Sequence, residues 1–315
     1  MEKSLQIQIR GKAPDGSEQL TIMEYIEVVR EIEFTTNRMD SPGKLKFTCL
    51  EDGPIGIPEG SSVEYLVNGM KLFKGFVFTI ERTRDGETSY TAYDQLRYLK
   101  SNASYSLDNM SFEQILTRIA GDFGLTVGTL EKTGYVFPTF LKEDEDCLNI
   151  IFDALSETIV QTGKIFILYD KAGELTLVEA KNWFTNTMVG DGSLVTDYTY
   201  KRDIDSDTYN RVKLVRKNEK SGRTDVYVHE DTDTIKKWGL LQYYNRVLQT
   251  LKLEAIGIPE IRAGMILPVK IGDIEDLAVS RLLLAEKVTQ KWEGEDHTMQ
   301  IEVKSFEQLG GVSIV

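Results

Sequence analysis

Two histidines serve the whole chain, His229 and His297, so acid–base or metal chemistry would have to be built on one of them or on carboxylates alone. His229 stands beside Glu230, Asp231 and Asp233, donors among which a cation could sit. A solvated turn at a strand end is the simpler account of that group. His297 falls in the turn sequence Gly294-Glu-Asp-His and is expected to be exposed. The run Glu143-Asp144-Glu145-Asp146 precedes an apolar periodic segment, where carboxylates favour the positive end of a helix dipole, and that role explains it without a metal. No two of the carboxylates are isolated on one face as an acid and base pair would be. Gly190-Asp-Gly192 begins like a dinucleotide-binding fingerprint but lacks the third glycine and the helix that should follow, so it reads as a loop. Cys49 and Cys147 lie in apolar surroundings without CxxC spacing, which argues against a disulfide framework. No serine sits in a nucleophile elbow and no P-loop occurs. The expectation is a protein with no catalytic, cofactor-binding or metal site, and not an enzyme.

Composition points the same way. At 315 residues and 41% hydrophobic content the chain can bury real cores, in two or three domains. A net charge of −13 argues against nucleic acid gripped through its phosphates, so no sequence-specific nucleic-acid partner is expected. No segment approaches the roughly 20 apolar residues of a membrane helix, and the N-terminus alternates like a first strand, so neither direct membrane insertion nor self-directed secretion is expected.

With no concentrated chemistry, the order of the elements becomes the informative feature. Residues 4 to 100 alternate polar and apolar side chains in short runs: Leu5 to Ile9, Ile26 to Thr35, Lys44 to Leu50, Ser62 to Val67, Leu72 to Arg82 and Thr88 to Tyr93. Pro14-Asp15-Gly16, Asp40-Ser41-Pro42-Gly43 and Asp52-Gly53-Pro54 separate them, which predicts a barrel or sandwich. Tyr93-Asp94-Gln-Leu-Arg-Tyr-Leu99 then reads as a short helical exit. The period changes in the middle of the chain. Ser111 caps a predicted helix over Phe112 to Phe123 that Gly124 stops, and a second amphipathic helix follows over Asp146 to Glu157. Lys164 to Asp170 and Gly173 to Glu179 form a hairpin turned at Lys-Ala-Gly. A second set of strands begins with Tyr209 to Lys217 and Arg223 to His229.

The strand phrase from Val77 through Asp85-Gly86-Glu87 to Tyr93 has a counterpart from Ala285 through Glu293-Gly294-Glu295 to Ile301. Gly86 and Gly294 lie 208 positions apart, as do Ile80 and Val288, and a preceding pair, Gly60 and Gly264, lies 204 apart. One β-unit therefore reads as present twice, with each turn glycine expected at positive φ. The predicted fold class is mainly β with an α+β insert, two tube-type β-barrel domains being related by internal duplication. The boundaries are 1-104 for the first barrel, 105-190 for the insert and 191-315 for the second barrel.

Large apolar groups in linkers are the remaining signal. Trp183-Phe184 and Trp238-Gly-Leu-Leu-Gln-Tyr243-Tyr244 supply candidate interface residues Trp183, Phe184, Trp238, Tyr243 and Tyr244. Ordinary core packing is the other account of them.

Taken in order, Gly-Ser-Ser-Val-Glu-Tyr, Leu-Phe-Lys-Gly75-Phe-Val-Phe, Tyr93-Asp94-Gln-Leu-Arg-Tyr-Leu, Ser-Phe-Glu-Gln-Ile-Leu-Thr-Arg-Ile-Ala, Trp238-Gly-Leu-Leu-Gln and Ile261-Arg-Ala-Gly264 form a familiar series. Nearly the whole chain resembles the baseplate hub proteins of contractile phage tails and phage-tail-like bacteriocins, the PBSX-type prophage hub and the late-control gene D family. The resemblance implies a homotrimer with two tube-type barrels per chain, six barrels ringing a lumen and adapting a sixfold tail tube to a threefold spike. It implies tail tube, spike, baseplate wedge and tape-measure proteins as partners, no cofactor, and assembly in a bacterial cytoplasm into a phage or tail-like particle. A cell-wall hydrolase and a carbohydrate-binding tail component are the rival functions. Tyr244-Asn-Arg-Val-Leu-Gln-Thr-Leu departs from the family by running almost directly into strand. Acidic residues, with Glu64, Glu81 and Asp273 as candidates, are expected to line the lumen.

Overall fold

A computed structural model of the chain describes residues 5–12, 18–24, 29–50, 57–84, 86–203, 212–217, 224–229, 248–277 and 280–304. The first β-region holds β1 (Leu5–Lys12), β2 (Glu18–Glu24), β3 (Val29–Asn37), β4 (Lys44–Leu50), β5 (Ser62–Val67), β6 (Met70–Arg82) and β7 (Glu87–Tyr93). Strict alternation drives these strands. In β5 and β7 every second residue is buried, and Val63, Tyr65, Phe47, Tyr90 and Ile32 meet in one core. Each such side chain, taken fully out of water, contributes roughly 2 kcal/mol. The chain leaves through a 3₁₀ turn, Gln95–Leu99, capped by Asp94, whose carboxylate accepts from Leu96 N at 3.0 Å.

The insert comprises β8 (Asn102–Ser111), α1 (Phe112–Asp122), β9 (Val127–Leu130), β10 (Val136–Asp146), α2 (Cys147–Thr162), β11 (Phe166–Asp170) and β12 (Leu175–Glu179). Ser111 starts α1, its N–H held by Gln114 Oε1 at 2.9 Å. Of the acidic run only Asp146 reaches the start of α2, accepting from Leu148 N and Asn149 N. The rest lies in β10, which pairs with β8 around a bulge. Ile115, Leu116 and Ile119 of α1 and Ile150, Ile151 and Leu155 of α2 share a core with Leu96 and Leu99 of the exit turn and with Ile266 and Leu284 from the end of the chain.

The last region holds β13 (Val189–Gly190), β14 (Val195–Asp203), β15 (Val212–Lys217), β16 (Thr224–His229), β17 (Leu248–Ile256), β18 (Ile266–Lys270), β19 (Arg281–Glu293) and β20 (Asp296–Lys304). Strands β15 and β16 pair only with each other. The others join the first region in one 13-stranded sheet that runs β14-β17-β20-β19-β3-β4-β7-β6-β5-β1-β2, with β18 beside β19 and β13 beside β18. No closed barrel is traced by the described strands, and β3 pairs with β19, which carries the sheet from one region into the other.

Neighbour order in the two regions is the same. β3-β4-β7-β6-β5 is matched by β14-β17-β20-β19-β18. Both long strands carry a bulge at one place, Phe78 between Val77 and Thr79 and Glu286 between Ala285 and Lys287. A second bulge falls between Val29 and Glu31 on β3 and between Val195 and Asp197 on β14. Gly60 N donates to Val77 O at 2.8 Å, and Gly264 N donates to Ala285 O at 2.8 Å; the glycines have φ of 82° and 92°. Gly86 and Gly294 occupy the corresponding hairpin turns at φ 79° and 57°, both in the left-handed region as expected.

The register also corrects one expectation. In the second hairpin pairing continues through Trp292↔His297 to Glu293↔Asp296, so His297 is a strand residue and not part of the turn. It is 8% exposed, stacked on Trp292 with centroids 3.6 Å apart, and its Nε2 lies 2.8 Å from Gln290 Oε1.

Candidate assembly site

Where the two β-regions meet, β19 changes partner at its bulge. Arg281 to Leu284 pair with β18, and Lys287 to Glu293 pair antiparallel with Asn37 to Glu31 of β3. Side chains seal this joint. Trp292, 2% exposed, leaves its own region to enter the core of the first. Thr35 and Thr289 hydroxyls meet at 3.2 Å, and Thr36 Oγ1 accepts from Ala263 N at 3.0 Å. Glu286, the bulge residue, takes Arg38 in a two-pronged ion pair, Nε to Oε1 at 2.6 Å and Nη2 to Oε2 at 3.2 Å, with the two side chains 8% and 16% exposed. Gln290 completes the seal by donating to Ile258 O and Ile261 O while facing His297.

A second meeting point ties the insert to both β-regions. Gln95 bonds Thr126 through both N–H and carbonyl, and donates to Asp170 Oδ2 at 2.7 Å. Asp94 accepts from Gly43 N at 2.7 Å and Asp170 from Gly173 N at 2.7 Å. Arg262, from the loop before β18, lays its guanidinium 4.6 Å over the ring of Tyr169, which stacks on Trp183 at 4.3 Å. Burial, then the neighbouring Asp170 charge, holds the Asp94 carboxyl well above its ordinary range. Asp170 is raised by burial as well, while Arg262 opposes both shifts. Gly264 lets the backbone approach this point: an added Cβ would run into Ile167 and sit 3.1 Å from Trp183. Two buried carboxylates and one arginine so arranged make a structural clasp.

Of the sequence-predicted interface residues, Trp183 is thus half-buried in that clasp. Phe184 beside it is 58% exposed, its backbone bridging to Ile266. Trp238, Tyr243 and Tyr244 lie outside the described residues, and so do Glu230, Asp231 and Asp233. Asp94, Asp170 and Arg262 were not anticipated. They are far apart in sequence, and the one available signal was the polar residue set in the apolar exit segment. Burial pushes the Cys49 thiol up to about 12, which removes it as a nucleophile at neutral pH. Among the described residues no group of three or more His, Cys, Asp or Glu could hold a metal ion, and no helix is long and apolar enough to cross a membrane.

The fold defined by these β-regions and the insert is that of phage-tail proteins. It is shared, at 14% identity and a TM-score of 0.68, with the 43 kDa tail protein of prophage MuSo2 from Shewanella oneidensis, over 97% of this chain and 99% of that one. It is shared also with the E. coli c3393 protein, a component of the type VI secretion system, at 13% identity and a TM-score of 0.55 over 89% of this chain and 74% of that one. The chain belongs to the YQBQ-like family, whose profile matches residues 32–249 and 243–304. It is 29% identical over 312 residues to the phage-like element PBSX protein XkdQ of Bacillus subtilis strain 168, covering 89% of this chain and 94% of that protein. By homology it is similar to a protein of a phage-like element, and by fold it is similar to phage-tail proteins.

Proposed function

We propose that the chain is the structural hub of a contractile tail baseplate, a homotrimer in which two tube-type β-barrels per chain, produced by internal duplication, ring a lumen and adapt a sixfold tube to a threefold spike. The observation that carries this reading is the register-level match between the β-regions: the same neighbour order, the same two bulges and the same glycine-gated hydrogen bond. A subunit that presents one shape twice can meet a sixfold ring with three copies. The division at 1-104, 105-190 and 191-315 belongs to this proposal, with the insert between barrels and the clasp at Arg262 fixing their orientation. Tail tube, spike, wedge and tape-measure proteins are the proposed partners, in a phage or tail-like particle. XkdQ belongs to a phage-like element, and the c3393 protein, a type VI secretion component, is itself described as structurally similar to T4 tail proteins, which supports that setting.

No turnover is assigned. The rival readings, a peptidoglycan hydrolase or a carbohydrate-binding tail component, find no residue set in the described structure to carry them. The test combines two measurements on the purified full chain: co-sedimentation with a tail tube protein from the same particle, which is expected, and peptidoglycan release, which is not. Release abolished by a single carboxylate substitution would replace the hub with the hydrolase.

A further inference from the structure

One ionisable side chain from each of the three regions meets at the clasp. Asp94 comes from the exit turn of the first β-region, Asp170 from the end of β11 in the insert, and Arg262 from the loop before β18. Asp94 and Asp170 are 3% and 4% exposed, so two buried carboxyls share one guanidinium. That guanidinium pairs with neither. Both charges act on Arg262 from a distance, its Nε is buried without a hydrogen-bond partner, and it rests instead over the rings of Tyr169 and Trp183, at 4.6 and 6.0 Å. A charge-assisted hydrogen bond to a carboxylate is stronger than such a ring contact, so its absence here is informative.

Ionising both carboxyls would place two like charges away from water. Burial first, and for Asp94 the Asp170 charge next, favour the protonated form of each, against the opposing pull of their N–H bonds and of Arg262. A pair that keeps a proton presents less charge to Arg262 and leaves the guanidinium to the rings. The other groups facing the pair are few. Lys74 of β6 adds a cation from the half-exposed rim beside the Gly173 turn, and burial keeps the Tyr169 phenol neutral. The movable part is the arginine side chain itself. Gly43 N and Leu96 N hold Asp94, Gly173 N and Gln95 Nε2 hold Asp170, and Gly264, at φ 92° against Ile167 and Trp183, fixes the loop that carries Arg262.

We propose that the junction is a proton-operated catch: while the Asp94–Asp170 pair holds a proton Arg262 rests on Tyr169 and Trp183, and when that proton leaves to solvent Arg262 swings from the rings to the two carboxylates. Trp183 packs on the insert core and on the core of the second β-region at once, and its carbonyl accepts from Ile266 N at 3.0 Å. Withdrawing the arginine from the ring stack therefore loosens the insert's hold on the second region, within a single chain and whatever its assembly state. The sign follows from the carboxyls. Both bind a proton more tightly here than they would in water, so the resting arrangement is complete at low pH and is given up as pH rises through the raised values.

The test reads the emission of Trp183, taken as the difference between the full chain and its Trp183→Phe variant, as pH is raised from the ordinary carboxyl value of 3.8. One step is expected, as the guanidinium leaves the indole. Arg262→Gln has no charge to move and should lose the step. Asp170→Asn should lose it too, because the junction then never carries two negative charges; a role confined to packing would change stability and leave the step in place. Tyr169→Leu leaves every charge of the catch intact and removes one resting ring, so its step should move to lower pH. Circular dichroism checks that each variant keeps the parent fold, and the parent chain and Tyr169→Leu decide the matter where a charge variant does not fold. No step in the parent chain, a step that survives Asp170→Asn or Arg262→Gln, or a step unmoved in Tyr169→Leu would overturn the proposal.

Discussion

The β3–β19 joint and the corresponding stretches of β6 and β14 carry opposite kinds of side chain. At β3–β19 the strand is sealed by Trp292 in the neighbouring core and by the buried Arg38–Glu286 pair. The corresponding positions hold Glu81 and Arg82 on β6, Arg84 in the turn after it and Lys201 on β14, all exposed. Strand pairing alone does not make the β3–β19 joint permanent; apolar burial of Trp292 and the buried ion pair make it part of folding.

Trp292→Ala should separate the two most strongly. Emptying a site 2% exposed should cost about 3–5 kcal/mol in chemical denaturation, whereas Arg84→Ala should change the stability of the free chain by less than about 0.5 kcal/mol. Glu286→Ala follows, at about 3 kcal/mol, because Arg38 would remain buried without its carboxylate. Gly264→Ala and Gly60→Ala sharpen the contrast again. Both force a side chain into positive φ at about 1 kcal/mol, but only Gly264 abuts Ile167 and Trp183, so its variant should lose about 1–2 kcal/mol more. Equal losses would mean that Gly264 does not pin the clasp.

The smallest effect is on pH dependence. Asp94 and Asp170 are both held above the ordinary carboxyl value of 3.8, so the folded chain binds these protons more tightly than the unfolded chain. Their stabilisation is complete below that value and is lost as pH rises through the raised values. Asp170→Asn should therefore flatten the fall in denaturation midpoint as pH rises above the ordinary carboxyl value, relative to the parent chain, and an unchanged slope would assign the dependence to other carboxylates.

Strand hairpins were legible because half-buried strands alternate, and the glycine pairs marked equivalent turns because positive φ has few other occupants. The equivalence was misread in one detail. A constant offset holds along β6 and β19 up to the turn, but the second hairpin pairs three residues further, which is why His297 is buried against Trp292 and not exposed. Strands β8 and β10 were missed: Asn102–Ser111 is too polar to show a period, and β10 contains Pro138 and ends in acids that read as the approach to a helix. The clasp was illegible for a different reason. Nothing local to Asp94, Asp170 or Arg262 reports that three regions converge there. The joint itself joins residues near 35 and 289, a pairing that no local pattern encodes.

The central claim is that the chain carries one ring segment twice and closes into a ring with copies of itself. The most direct measurement is the solution mass of the unmodified full chain across a concentration series at moderate salt. The account predicts convergence on three times the chain mass of 35.8 kDa, with no larger species, because a closed ring leaves no contact surface open. A plateau at two chains, or open-ended growth, would contradict it.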